Sequence, residues 1–213
     1  MKYPICFRLN SSDIRVYQQI FAAREYACLN NIKDIKLIVD CGAYIGLSSI
    51  WFLNEYRNAD LVAIEPDPKN FSILQKNLRP YGQRAKLLKA AIWPRKGALV
   101  ASKEKYRDGQ EWTRQVRECV NNEKPEINAI NIDSIISESG FEKIDILKID
   151  IERSEIELFS HNYKQWLSKT RNIVIELHDE ECSKVFFKAL SGYNYLLSRS
   201  GELTCCQGLT PKK

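Results

Sequence analysis

The sequence is poor in the residues that common metal and disulfide chemistries need. It has two histidines, His161 and His178, so a metal site built from several histidines is not available. Its seven cysteines, Cys6, Cys28, Cys41, Cys119, Cys182, Cys205 and Cys206, are odd in number, scattered and without a C-x-x-C pair. They read as reduced thiols, with the adjacent Cys205-Cys206 as a strand end. No segment approaches the roughly 20 apolar residues of a membrane span. The opening stretch MKYPICFRLNSSDIRVYQQ has neither an apolar core nor a small-residue cleavage site. A cytoplasmic protein without a membrane span is expected. There is also no block of positive charge: the net charge is +5, and lysines and arginines alternate with acids. That pattern reads as a solvated surface and not as a nucleic-acid footprint.

What is present describes a globular α/β chain. The 213 residues are 44% hydrophobic and 28% charged, enough for a real core and too apolar for disorder. One domain over 1–213 is expected, with an N-terminal helical cap at 1–34 and a Rossmann-like core at 35–213. Ile14, Tyr17, Ile20, Phe21 and Arg24 recur at three-and-four spacing after Ser12-Asp13, predicting an amphipathic helix from Asp13 to Tyr26. From Ile35 the period changes. KLIVDC, ADLVAIE, AKLLKAAI, IDILKIDI and RNIVIELH are short apolar runs, the signature of strands buried on both faces of a parallel sheet. Helical patterns lie between them, at IGLSSIWFLNEY, DPKNFSILQKNLRPY, RSEIELFSHNYKQWL and DEECSKVFFKALSG. YNYLLSR and ELTCCQ, joined at Ser200-Gly201, predict an antiparallel hairpin at the C-terminal end. The stretch from Ala101 to Lys124 is polar and long for a connection, so it reads as a surface excursion or a lid.

The most informative segment is LIVDCGAYIGLSSIWF, Leu37 to Phe52. A strand ending at Asp40, then Gly42, then Gly46 opening a helix, presents backbone N–H groups and a helix N-terminus at the carboxyl edge of a sheet. A P-loop would end in Gly-Lys-Ser/Thr, but Leu47-Ser48 follows Gly46. A dinucleotide loop needs a glycine where Tyr44 stands, and a ring there would fill the space of a pyrophosphate. Glu65, about twenty residues on, is placed to accept both hydroxyls of a ribose. A nucleoside with a short charged tail fits these constraints, and S-adenosylmethionine is such a molecule, its amino-acid end meeting the loop amides and Ser48 or Ser49.

These residues resemble the FkbM-type family of class I S-adenosylmethionine-dependent methyltransferases. The likeness is carried by VDCGAYIGLSS, AIEPDPKNF and IDILKIDIERSEIELF, with AAIWPRKGAL, NIDSII, NIVIELHD and IFAAREY in support, over about residues 13 to 200. It implies a Rossmann-like, seven-stranded, mostly parallel sheet with a reversed final hairpin and helices on both faces. It also implies methylation of a hydroxyl on a sugar, a glycolipid or a secondary metabolite, as in natural product biosynthesis. The chain departs from the family pattern twice: Tyr44 stands where the family usually has Asn, and Arg153 where it usually has Gly.

Resemblance and spacing together nominate Asp40, Gly42, Ala43, Tyr44, Gly46, Ser48, Ser49, Glu65 and Pro66 as cofactor residues, with Ala91 and Ile92 against adenine. Tyr26, by the resemblance alone, closes over the methionine end. Methyl transfer to an aliphatic hydroxyl needs in-line alignment and loss of a proton. Asp150 and Glu152 share one face of a strand, as do Glu176 and His178. His178, with a resting pKa suited to a base, is the first candidate, followed by Asp150 and Glu152. Catechol-type relatives hold a divalent ion near this position, but there is no Asp-Asn pair, so no metal is expected. Trp112, Arg114 and Arg117 are candidates for a substrate lid. A methyltransferase acting on an amine and a non-catalytic module that keeps the cofactor pocket are the rival readings.

Overall fold

The computed structural model of the chain describes residues 2–101, 116–120 and 123–213. The predicted N-terminal helix is broken into three pieces. α1 (Asp13–Tyr17) gives way to a π-helical turn (Gln18–Ala22), and a 3-10 turn (Glu25–Leu29) follows. The break falls at Arg24, whose φ of 55° is left-handed, so the helix that the apolar spacing suggested cannot run on to Tyr26. Ser12 does not cap α1 with its side chain; its hydroxyl lies 3.1 Å from that of Tyr44.

The core alternates strand and helix: β1 (Leu37–Cys41), α2 (Leu47–Glu55), β2 (Asp60–Ile64), α3 (Pro68–Leu78) and β3 (Ala85–Leu88). β4 (Ala91–Ile92), β5 (Gly97–Ala101), β6 (Val116–Glu118) and β7 (Ile127–Ile130) come next. Then follow α4 (Ile132–Ser139), β8 (Ile146–Ile149), α5 (Glu155–Ser160), α6 (Tyr163–Ser168), β9 (Asn172–Glu176), α7 (Glu180–Ala189), β10 (Tyr193–Ser200) and β11 (Leu203–Pro211). Seven strands form one sheet in the order β10-β11-β9-β8-β1-β2-β3, in which β11 runs antiparallel to both neighbours. This is the expected Rossmann-like architecture with its C-terminal hairpin.

Alternation along β1 shows why its run is apolar throughout. Leu37, Val39 and Cys41 face one layer, with Phe159, Trp166 and Phe186 of α5, α6 and α7. Ile38 faces the other, with Phe52, Leu74 and Leu78 of α2 and α3. The sheet is therefore covered by helices on both sides.

Three details differ from the sequence reading. AKLLKAAI is not one strand: Ala85–Leu88 closes the large sheet, whereas Ala91–Ile92 pairs with β7 in a second sheet of order β4-β7-β5-β6. Part of the polar excursion belongs to that second sheet, since Val116–Glu118 pairs antiparallel with β5. RSEIELFSHNYKQWL divides into α5 and α6, with Asn162 at a φ of 55° between them. The expectation of reduced thiols throughout is also corrected. Cys28 and Cys205, 177 residues apart, are joined as a disulfide, because the Glu25–Leu29 turn packs on β11, where Gln207 Nε2 also donates to the Cys28 carbonyl. Cys205 and Cys206 lie inside β11 and not at its end. Among the described residues, no helix is long and apolar enough to cross a membrane.

Candidate active site

In strand order β8 and β2 flank β1 on opposite sides, so the chain reverses its direction of winding at β1. Open α/β sheets bind ligands in the crevice at such a point, beyond the carboxyl ends of the strands. A cavity of about 300 Å³ lies there. Its wall includes the loop after β1 (Gly42, Ala43, Tyr44), the first turn of α2 (Leu47, Ser48), the end of β2 (Glu65, Pro66), and Ala90, Ala91 and Ile92. The wall also includes Tyr26, Lys148, Asp150, Glu152 and Glu176.

The loop is shaped by close approach. Gly42 has a φ of +81°, and a Cβ on it would lie 1.8 Å from the carbonyl oxygen of Asp150, so the segments just past β1 and β8 approach each other with room for hydrogen alone. Gly46, with a φ of +90°, is the N-cap of α2, and a Cβ there would meet Leu74 at 2.8 Å. Gly46 packs on α3 and is not on the cavity wall.

Tyr44 also has a left-handed backbone, with a φ of 52°. Its ring is tied to the N-terminal segment: the hydroxyl donates to Asp13 Oδ1 at 2.5 Å, accepts from Arg8 at 2.5 Å and stands beside Ser12. The Arg8 guanidinium lies 5.1 Å from the ring centre. Tyr44 stays on the cavity wall while its hydroxyl reaches that segment. The side chain anchors residues 8–13 to the loop, and Asp13 is fully buried in that contact.

Asp40 is placed behind the site and not in it. Its Oδ2 accepts from the hydroxyls of both Ser48 and Ser49 at 2.6 Å, and its Oδ1 lies 3.3 Å from Lys148 Nζ. Ser48 reaches the cavity wall, whereas Ser49 and Asp40 are completely enclosed. Lys148 was not anticipated, although a lysine inside the apolar run IDILKIDI was a signal that a buried cation needed a partner. It is 3% exposed, donates to the Gly42 carbonyl at 2.7 Å and lies 3.5 Å from Asp150 Oδ2. Burial alone would lower its pKa, but Asp40 and Asp150 raise it overall, so it stays charged.

Glu65 is 6% exposed. Its Oε2 accepts from the Tyr44 amide at 2.9 Å, and its Oε1 accepts from the Asp67 amide at 2.9 Å and from Asn70 Nδ2 at 3.3 Å. Burial pushes its pKa up to about 7 despite these bonds. A carboxylate has about four acceptor positions, so capacity remains for a hydroxyl arriving from the cavity. Tyr26, 3% exposed, also lines the cavity, with its ring centre 5.3 Å from that of Trp51 and 5.1 Å from that of Phe52 in tilted contacts. The Gly42 and Ala43 amides donate to the Ile64 carbonyl at 3.0 and 2.9 Å, which fixes the loop against the end of β2. Cavity size and a carboxylate with spare capacity are features an S-adenosyl ligand requires, and these residues fit it.

The candidate catalytic residues come together at the ends of β8 and β9. Asp150, Glu152 and Glu176 reach the cavity, while His178 stands behind them with its side chain fully enclosed. Its Nε2 is 3.4 Å from Glu152, 3.6 Å from Asp150 and 3.7 Å from Glu176, and its Nδ1 is 3.5 Å from Glu155. Burial opposes its charge, but these carboxylates outweigh it and lift the pKa to about 9. The premise that His178 has a resting pKa suited to a base is thus corrected: at neutral pH it already carries its proton. Glu176 moves up to about 7 through burial and the neighbouring Asp150.

Arg153, the residue in place of the family's glycine, has a φ of 70°, and the adjacent Glu152 one of 51°. The strain is offset by ion pairs that hold Arg153 at 2.6 Å from Asp179 and 3.0 Å from Glu181, away from the cavity. Arg117 pairs with Glu123 at 2.6 Å. Trp112 and Arg114 lie outside the described residues.

Residues 40–198 match the methyltransferase FkbM domain family. The chain is 25% identical over 190 residues to methyltransferase sdnD of Sordaria araneosa, covering 76% of this chain and 73% of that protein. It is 27% identical over 187 residues to 2-O-methyltransferase NoeI of Sinorhizobium fredii, covering 82% and 73% respectively. Among solved structures, M. capricolum TrmK in complex with S-adenosyl-homocysteine superposes with a TM-score of 0.49 at 12% identity, over 89% of this chain and 68% of that one.

Proposed function

The chain belongs to the FkbM methyltransferase family and uses S-adenosylmethionine, and from that premise we propose that it methylates a hydroxyl of a small acceptor such as a sugar, a glycolipid or a secondary metabolite. The observation that carries this reading is one cavity with a nucleoside-binding side at Gly42–Tyr44 and Glu65 and a carboxylate-lined side at Asp150, Glu152 and Glu176. The 2-O-methyltransferase activity in the name of NoeI is consistent with it.

Glu65 would accept a ribose hydroxyl, the Gly42–Tyr44 loop would face the amino-acid end, and Ala91 and Ile92 would border the adenine. When bound, S-adenosylmethionine supplies an electrophilic methyl on a sulfonium. Asp150, Glu152 and Glu176 would align the acceptor hydroxyl behind that methyl and take up its proton as the methyl leaves the sulfonium, which departs as a neutral thioether. His178, already protonated and enclosed, steadies that cluster from behind. Lys148 fixes Asp150 from the other side and ties it to the loop through the Gly42 carbonyl. A carboxylate-lined wall also keeps a developing proton close to its acceptor, where a neutral wall would leave it unsatisfied.

The test is transfer of a labelled methyl group from S-adenosylmethionine to a panel of sugars, hydroxylated metabolites and amines, with the product resolved by carbon NMR. An O-methyl signal is expected. Label found only on nitrogen, or no transfer to any acceptor while the cofactor still binds, contradicts the reading.

A further inference from the structure

The enclosed His178 side chain is the least explained group in the molecule. Both ring nitrogens are buried and neither makes a hydrogen bond, yet carboxylate oxygens surround them. Glu152 Oε2 beside it is likewise buried without a hydrogen-bond partner. One donor atom each from Asp150, Glu176 and His178 lie within 4.8 Å of one another.

Lys148 sits against Asp150 Oδ2, leaving Oδ1 turned toward His178. Arg153 is directed to Asp179 and Glu181.

We propose that Asp150, Glu176 and His178 form a binding site for a divalent cation at the end of β8 and β9. Two donors at a tetrahedral angle on an ion bonded at about 2.1 Å stand roughly 3.4 Å apart. His178 Nε2 lies 3.6 Å from Asp150 Oδ1 and 3.7 Å from Glu176 Oε1, so little movement is needed. The far side of the ring has the matching arrangement. A metal-bound histidine almost always presents its second nitrogen to a carboxylate or carbonyl, which fixes the ring and its tautomer. Here Nδ1 faces Glu155 Oε1 at 3.5 Å, and Glu155 is fully buried and held by the Ile151 amide at 2.8 Å. The entering ion displaces a proton from His178, and the resulting set of one neutral imidazole and two carboxylates suits Mn²⁺ or Zn²⁺, with Mg²⁺ accommodated through added waters. Asp150 and Glu176 line the cavity, so the open positions of the ion face the acceptor. This deepens the proposed O-methylation and rests on it for its purpose: a metal-bound hydroxyl loses its proton more readily.

The experiment titrates chelator-stripped protein with Mn²⁺, Zn²⁺ and Mg²⁺ by isothermal calorimetry, with Mn²⁺ also followed by electron paramagnetic resonance. S-adenosylhomocysteine binding is measured on the same samples. One equivalent of at least one ion is expected to bind wild type. H178A and E176Q should lose at least tenfold in affinity for it, and E155Q about tenfold through the orienting bond, with S-adenosylhomocysteine affinity kept within about threefold as evidence of an intact fold. No saturable binding of any of the three ions to wild type, or H178A binding as tightly as wild type, overturns the site. Absence of S-adenosylhomocysteine binding would instead strike at the methyltransferase reading, so the two failures are distinct.

Discussion

Replacement of Glu65 by Gln perturbs cofactor affinity and stability in opposite ways. Burial raises the Glu65 carboxyl from 4.5 to about 7 in the cofactor-free protein. A ribose hydroxyl donates to the ionised form, so the cofactor selects it, and affinity must rise as pH rises through 7. Relative to pH 8, the dissociation constant of wild type is expected to be about tenfold weaker at pH 6 and about a hundredfold weaker at pH 5. E65Q has no proton to lose there, and its affinity should be weaker at pH 8 but nearly level over the same range. The sign for stability is reversed. A carboxyl whose folded pKa lies above its unfolded value favours folding while protonated, and that contribution is lost as pH rises from 4.5 to 7. The full change is about 3 kcal/mol. The difference in urea unfolding free energy between cofactor-free wild type and E65Q should therefore shift by about that amount between pH 4.5 and 8, in favour of E65Q at the higher pH. Calorimetric titration with S-adenosylhomocysteine and urea unfolding measure the two effects. A wild-type affinity that is flat from pH 5 to 8, or an E65Q slope equal to that of wild type, refutes the assignment of Glu65 to the ribose.

Gly42→Ala should cost more than about 3 kcal/mol in chemical denaturation, because its Cβ would lie 1.8 Å from a backbone oxygen at a φ of +81°, whereas Gly46→Ala, meeting a side-chain methyl, should cost less. Lys148→Met leaves the fully buried Asp40 without its cation and should destabilise by about 3–5 kcal/mol in the same assay. Arg153→Gly relieves a left-handed backbone while removing half-exposed ion pairs; the unfolding free energy should change by no more than about 1 kcal/mol either way. A loss larger than about 2 kcal/mol would mean that the Asp179 pair, and not backbone freedom, governs that position.

Much of the fold was legible because buried parallel strands need apolar residues on both faces. KLIVDC, ADLVAIE and RNIVIELH each contain the strand their composition indicated. AKLLKAAI misled for the same reason: an unbroken apolar run carries no mark of the point at which the chain leaves one sheet for another. The second sheet uses strands of two to five residues, too short for a periodic signal. The N-terminal helix failed at Arg24, where a single left-handed residue overrides favourable spacing.

The site was legible in its location more than in its roles. Glycines at 42 and 46 and an acid at 65 mark a strand–turn–helix and the next strand end, and the cavity lies between them. Asp40 looked like a ligand because it sits at the strand's end, but alternation turns it inward to Ser48, Ser49 and Lys148. The anchoring role of Tyr44 was hidden because nothing in the local sequence pairs it with Arg8 and Asp13, more than thirty residues away. The disulfide between Cys28 and Cys205 was hidden in the same way by 177 residues of separation. His178 was chosen for the ordinary pKa of its residue type, which takes no account of four carboxylates gathered around it from the ends of β8 and β9 and the start of α5.

The most direct test of the central claim is a crystal structure of the protein grown with S-adenosylhomocysteine. A ribose hydroxyl is expected on Glu65, the adenine beside Ala91 and Ile92, and the amino-acid end at the Gly42–Tyr44 loop, with the sulfur facing Asp150 and Glu176. A ligand bound elsewhere, or a cavity that stays without it at saturating concentration, contradicts the account.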